Sequence, residues 1–375
     1  MTPPQPDNPA QTRVQEIIDA DTASGAETGV QVAAYLDGEL VVDAWAGFAD
    51  VEAGALMGPD TLVPSWSTGK GVAASLVAVL VDKGVLDYAA PVAGYWPEYA
   101  ANGKDKTTLG HVMSHSAGVP QLREDITPEE LFDLSAVAAW IAEQAPLWEP
   151  GTATGYHGWT YGVLVAEIVR RVCGEGIDEV FRREIGEPLG IADSVMFAVP
   201  DRLRPALATC YDGGWAAMLD RFPADSPFFT FAPRAVLPVA PLANRDSFHR
   251  TVLPANGTMS ARGAARLYGA LARGGEIDGV RVLSAATLKR ATEVRTVETD
   301  RMLGFPLAKG YGYLLGGTGS VVRAAGGGFG TNGSGGSAAS ADPVHRLSFA
   351  LTKNRMSANK LDVRLVAEIR AALGL

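Results

Sequence analysis

Cysteine is nearly missing from this 375-residue chain, which holds only Cys173 and Cys210. Neither has a Cys-x-x-Cys or Cys/His ligand spacing, which argues against a disulfide scaffold and a thiolate zinc site. Both read as plain buried thiols of a reducing compartment. Histidine is sparse as well. His111, His115, His157, His249 and His345 include no His-Glu-x-x-His and no helical pairing with a glutamate, so no metalloprotease site is indicated. A structural or surface role is the default for each, with His157 set apart by its neighbour Tyr156. No paired carboxylate stands out. There is no basic block either: 32 Lys+Arg face 42 Asp+Glu, a formal charge of -10. Such a chain is a poor match for phosphate backbones or anionic lipid. The most apolar run, residues 72–81, is far short of the roughly 20 residues that span a bilayer. The opening Met-Thr-Pro-Pro-Gln-Pro-Asp-Asn-Pro lacks the basic and apolar regions of a secretory signal. The expectation is a cytoplasmic protein without metal or cofactor, binding neither nucleic acid nor membrane.

Hydrophobic residues at 47% and charged ones at 20% exclude a mainly disordered chain. The 43 glycines and 23 prolines exceed their usual combined share of about 12% and imply many turns. Residues 1–10 read as a disordered lead-in, followed by helical spacing of Val14, Ile17 and Ile18. Two β-type runs flank Asp37-Gly38, a strong hairpin signal. Residues 67–83 read as a helix with a serine at its cap and Gly84 as its stop. It is apolar almost all round and belongs inside the protein. Further helices are expected over 161–172, 260–273 and 360–373, with β-type segments at 311–315, 335–341 and 346–352. Strands at both ends with helices between predict one α/β body carrying a helical insertion. The body is placed at 11–75 and 215–375, and the mainly helical domain at 76–214.

Three pieces could carry chemistry. Ser67-Thr-Gly-Lys70 puts a hydroxyl and an amine three residues apart, on one face of a helix. An apolar setting would lower the lysine pKa from its usual 10.4 and let the amine accept a proton. The pattern is common by chance, and Ser357-Ala-Asn-Lys360 is a second copy, read as coincidence in a polar loop. Tyr156 lies in a glycine-rich loop before a helix, where it serves either as a base beside a lysine or as packing. The run from Gly326 to Ser337 is too glycine-rich for a good strand interior and suggests close backbone approach to a ligand. It lacks the helix and lysine of a phosphate loop.

In this order, Ser-x-x-Lys, Tyr and a late glycine-rich β segment resemble the serine β-lactamase/penicillin-binding protein superfamily. The likeness is to its class C-like branch, which includes the family VIII carboxylesterases. Met113-Ser-His-Ser-Ala-Gly-Val-Pro, Trp148-Glu-Pro-Gly-Thr, Pro254-Ala-Asn-Gly-Thr and Leu271-Ala-Arg-Gly-Gly are similar to segments of that branch, as is the stretch from Gly84. Together they extend over about residues 28–356. The resemblance implies a β-lactamase-like α/β fold of the α+β type, with an antiparallel sheet flanked by helices and an inserted helical domain. It implies Ser67 as nucleophile, Lys70 and Tyr156 as the coupled base, and the backbone N–H groups of Ser67 and Ser334 as oxyanion hole. Gln121, Trp159, Phe329, Thr331, Asn332 and Gly333 are then expected to border the substrate, with loops 115–135 and 215–255 shaping the pocket.

Two departures from the lactamase pattern matter. The second motif is Tyr156-His-Gly158 where class C lactamases have Tyr-x-Asn, and the third is Thr331-Asn-Gly333 where they have Lys-Thr-Gly. Losing a charge-assisted contact to a substrate carboxylate weakens binding by about 1.5–3 kcal/mol. The expected activity is therefore a serine carboxylesterase acting on small, uncharged esters, its partner being that small-molecule ester. An amide or β-lactam hydrolase, an acyltransferase and a non-catalytic binding protein on the same fold are the competing readings.

Overall fold

The computed structural model describes residues 8–316 and 328–375. The chain starts in α1 (Pro9–Ala23), where Asn8 caps the first turn through the N–H of Ala10 and proline takes the first helical position. The expected lead-in therefore ends before Pro9, and its residues 1–7 lie outside the described residues. The hairpin of β1 (Gly29–Leu36) and β2 (Glu39–Asp50) turns at Asp37 and Gly38, both at positive φ as a tight two-residue turn requires. The short β3 (Ala55–Leu56) follows on the outer edge. The remaining strands of the main sheet come from the last fifth of the chain: β4 (Leu314–Leu315), β5 (Phe329–Asn332), β6 (Ala338–Asp342) and β7 (Leu347–Lys353). They form one antiparallel sheet in the order β4-β5-β6-β7-β1-β2-β3, so the two ends of the chain meet where Val30 faces Lys353.

Strand alternation explains how this sheet is covered on both faces. Val30, Val32 and Ala34 of β1 pack with α1 and with the last helix, α6 (Leu361–Leu373). Ala33 and Tyr35 point the other way, into the main core with α5 (Ala261–Ala272). α2 (Thr68–Asp82) also packs on that face, against β5 and β6, and the same core continues beyond it to α4 (Thr160–Cys173) on α2 and α3 (Leu134–Glu143) on α4. Apolar on all sides, α2 is buried along its length as its sequence predicts. It is continuous through residues 75 and 76, so the expected domain boundary falls inside a helix.

Two features aim the start of α2. A small sheet joins Val63–Pro64 to Thr258–Met259 and Val195–Met196, and Ser65 N–H donates to Gly257 O at 2.6 Å. Gly69 then lets the helix touch this second segment, because a Cβ there would stand 2.3 Å from Asn256 O. The glycine-rich third segment departs from expectation. Residues 326 and 327 lie outside the described residues, but Phe329–Asn332 is a paired strand interior. Gly330 makes its close approach to the neighbouring strand, with a Cβ placed 2.2 Å from Ala339 O.

Candidate active site

Ser67 stands just before the first residue of α2, half-buried, with no capping bond from its side chain. Its oxygen is engaged by Lys70 instead, whose Nζ lies 3.0 Å from Ser67 Oγ and 3.3 Å from Ala255 O. Lys70 is only 2% exposed, and no carboxylate pairs with it among the described residues. Desolvation lowers its pKa to about 7, so a substantial share of the amine is neutral near pH 7. The residue before the serine, Trp66, sits at φ 49°, an unfavourable region for a bulky side chain. Strain of about 1–3 kcal/mol is typical of such a position, and here the turn aims Ser67 into the cavity.

Tyr156 approaches from a loop with no regular structure. Its ring lies 5.1 Å from Lys70 Nζ and stacks on His115 at 4.9 Å. Burial pushes the phenol up to about 12, the Asp300 charge adds to this, and a hydrogen-bonding contact with Ser67 opposes it. Tyr156 is therefore a neutral phenol, and Lys70 is the group poised to exchange protons near neutrality.

The loop is held by groups that the sequence does not single out. Asp300 Oδ1 accepts the backbone N–H of Tyr156 at 3.0 Å and also those of Met302 and Leu303. Asp300 Oδ2 takes Lys309 Nζ at 2.5 Å, and that amine also donates to Thr154 Oγ1 at 2.7 Å. Both charges are buried. His115 Nδ1 accepts the backbone N–H of His157 at 3.0 Å. His157 Nε2 accepts from Val119 N–H at 3.1 Å, so its other nitrogen donates to Gly155 O at 2.7 Å. Burial keeps both imidazoles neutral, with His157 lowered to about 4. His157 is a brace of the loop, and its ring is hydrogen-bonded to the backbone at Val119 and Gly155.

These groups open onto a cavity of about 480 Å³. Ser67, Lys70, Tyr156, Trp159, Asn332, Gly333 and Ser334 all line it. The backbone N–H groups of Ser67 and Ser334 have no protein acceptor among the described residues, and both residues line the cavity. Trp159 is fixed by donation from Nε1 to Val236 O at 3.2 Å.

Three expected substrate contacts are misplaced. Phe329 is 2% exposed and packs on Tyr313 in the core. Thr331 Oγ1 donates to Thr68 O at 3.0 Å and bonds Tyr268 Oη at 3.2 Å. Alternation along β5 sends these two side chains under α2, while Asn332 faces the cavity. Gln121 Nε2 donates to Ala145 O at 3.1 Å, tying two loops together away from the cavity. Among the described residues, segment 115–135 contributes nothing to the lining, whereas 215–232 contributes heavily. The second Ser-x-x-Lys is no second Ser–Lys pair. Ser357 Oγ accepts from Lys353 at 2.8 Å, while Lys360, at φ 54°, starts α6 on the rim of the cavity. Cys210 is buried, Cys173 is half-buried, and neither forms a disulfide.

The Beta-lactamase family matches residues 14–374. The chain belongs to it. Within this family, Esterase/beta-lactamase LipL of Mycobacterium tuberculosis is 35% identical over 352 residues, covering 88% of this chain and 77% of its own. A solved family VIII carboxylesterase is 30% identical with a TM-score of 0.87, covering 98% of both chains. A penicillin-binding protein homologue from Caulobacter crescentus is 34% identical with a TM-score of 0.85 over 99% of both. The β-lactamase-like fold, an antiparallel sheet with helices on both faces, agrees with these neighbours. No helix among the described residues is long and apolar enough to cross a membrane.

Proposed function

We propose that this chain is a serine carboxylesterase that cleaves uncharged, apolar esters through an acyl-enzyme on Ser67. The observation that carries this reading is the desolvated Lys70 amine 3.0 Å from Ser67 Oγ, with no buried carboxylate to hold it charged. Neutral Lys70 takes the hydroxyl proton as Oγ bonds to the acyl carbon, and the carbonyl oxygen gathers charge between the Ser67 and Ser334 N–H groups. When the ester C–O bond breaks, the proton passes from Lys70 to the departing alcohol by way of the Tyr156 phenol. Water then attacks the acyl carbon, giving its proton back through the same pair, and Oγ leaves as the serine hydroxyl. The names of LipL and of the family VIII structure support ester hydrolysis, and the apolar cavity supports uncharged substrates. We place the enzyme in the cytoplasm.

A β-lactam hydrolase is the second reading, favoured by the name of LipL and by the Lys360 cation on the cavity rim. Purified protein is expected to hydrolyse short p-nitrophenyl esters and Ser67→Ala to lose this activity. Retention of activity by Ser67→Ala would sink the proposal, and faster turnover of nitrocefin than of esters would reverse the order of the two readings.

A further inference from the structure

The cavity is much roomier than a short acyl ester needs, and its walls are not uniform. An unbroken aromatic path runs from Tyr156 to the surface. Phe231 meets the Tyr156 ring edge-on at 5.7 Å, Phe228 meets Phe231 at 4.7 Å, and Phe222 stacks on Phe228 at 5.0 Å. All four rings line the cavity. Phe222 is 36% exposed and marks its mouth, and Phe305, 47% exposed, stands on the same rim. Leu303 packs against the same cluster as Tyr156 and lines the cavity.

The path depends on Gly158. A Cβ there would lie 2.2 Å from Phe231 Cδ2, so the ring occupies the space of a side chain at that position. An aromatic wall thus stands where a side chain at 158 would project, against the Tyr156 ring. A cavity of about 480 Å³ falls in the range of about 300–1,000 Å³ that takes ligands of drug size. A methyl or acetyl group leaves most of this apolar wall facing water, whereas a fused ring covers it and gains from both burial and ring contacts.

We infer that the preferred substrates are esters bearing a bulky aromatic or fused-ring group, which lies along the Phe222–Phe228–Phe231 path. The inference rests on the esterase reading. It makes Phe231 and Phe228 specificity-determining residues, with Gly158 the position that admits them.

The test compares methyl acetate with naphthylmethyl acetate and methyl naphthylacetate, which place the ring on the alcohol and the acyl side without making the leaving group phenolic. At least one aromatic ester is expected to exceed methyl acetate about 30-fold in kcat/KM. Phe228→Ala, which leaves Phe231 against Tyr156, is expected to cut that ratio about tenfold. Should this variant fail to fold, Phe222→Ala, half-exposed at the rim, carries the same test. Both aromatic esters within about threefold of methyl acetate, or a ratio unmoved in the folded variant, would overturn the inference. Hydrolysis of methyl acetate without preference overturns this inference alone. Failure on all three esters, with no fluorophosphonate adduct on Ser67, overturns the esterase reading and the inference with it.

Discussion

Asp300 holds Tyr156 by its backbone: Oδ1 accepts the Tyr156 N–H at 3.0 Å, across 144 positions of sequence. Its other oxygen neutralises Lys309, so loop position and buried charge are linked in one carboxylate.

Asp300→Asn leaves Lys309 buried without its partner charge. Removing one member of a buried pair destabilises by about 3–5 kcal/mol, which a urea titration will read. The double variant Asp300→Ala/Lys309→Met, which removes both buried charges and the oxygen that accepts the Tyr156 N–H, is expected to recover part of that stability. Its kcat/KM should stay low with KM little changed, because the loop carrying Tyr156 has lost its anchor. Full activity in the double variant would mean that Asp300 does nothing for Tyr156.

With the Lys70 pKa near 7, kcat/KM should rise with pH through that value and level off above about 8. Tyr156, pushed up to about 12, should cause no fall below about pH 10. Lys70→Arg keeps the charge at every accessible pH and is expected to lose about 10²–10⁴ in rate. A flat profile between pH 5 and about 9 would remove Lys70 as the base.

The same residue predicts a stability effect of definite sign. Its folded pKa lies below the unfolded value of about 10.4, so between about pH 7 and 10 the unfolded chain binds the extra proton. Raising the pH through this window favours the folded state at this site. Lys70→Met, which has no charge to bury, should therefore raise the midpoint of thermal unfolding at pH 6 while abolishing activity. A lowered midpoint at that pH would contradict the role of desolvation.

Gly69→Ala sets a methyl 2.3 Å from a backbone oxygen that cannot turn aside. Helix α2 or the segment at Asn256 must shift, for an expected loss of about 1–3 kcal/mol and a Ser67–Lys70 pair out of line. Parallel melting and ester assays on Gly69→Ala and Gly84→Ala separate close packing from conformation. Gly84 has open space around it but a φ of 70°, so its variant should lose stability without losing specific activity.

What could be read from the sequence was what near neighbours decide. The Ser67–Lys70 spacing, the Asp37-Gly38 hairpin and the apolar α2 are all local, and the structure has them as expected. Adjacency in sequence does not give direction. Phe329 and Thr331 lie beside Asn332 in sequence, yet a strand turns successive side chains to opposite faces. Asp300 and Lys309 carried no signal at all: they sit in an irregular stretch, where a charge destined for burial looks like any surface charge. The phenylalanines between 222 and 231 stand close together in the chain, but their convergence on Tyr156 is a product of the fold.

Gly158 and Phe231 also constrain the order in which this cavity could change. A side chain added at 158 forces the ring, 2.2 Å from its first carbon, to move, whereas the ring can be trimmed with glycine still in place. A route that installs a polar group at 158 is therefore easier from position 231, where the first step gives up aromatic surface before anything replaces it. Variants made in the opposite order should lose stability at the first step, which makes specificity here depend on history as well as on the final pair of residues.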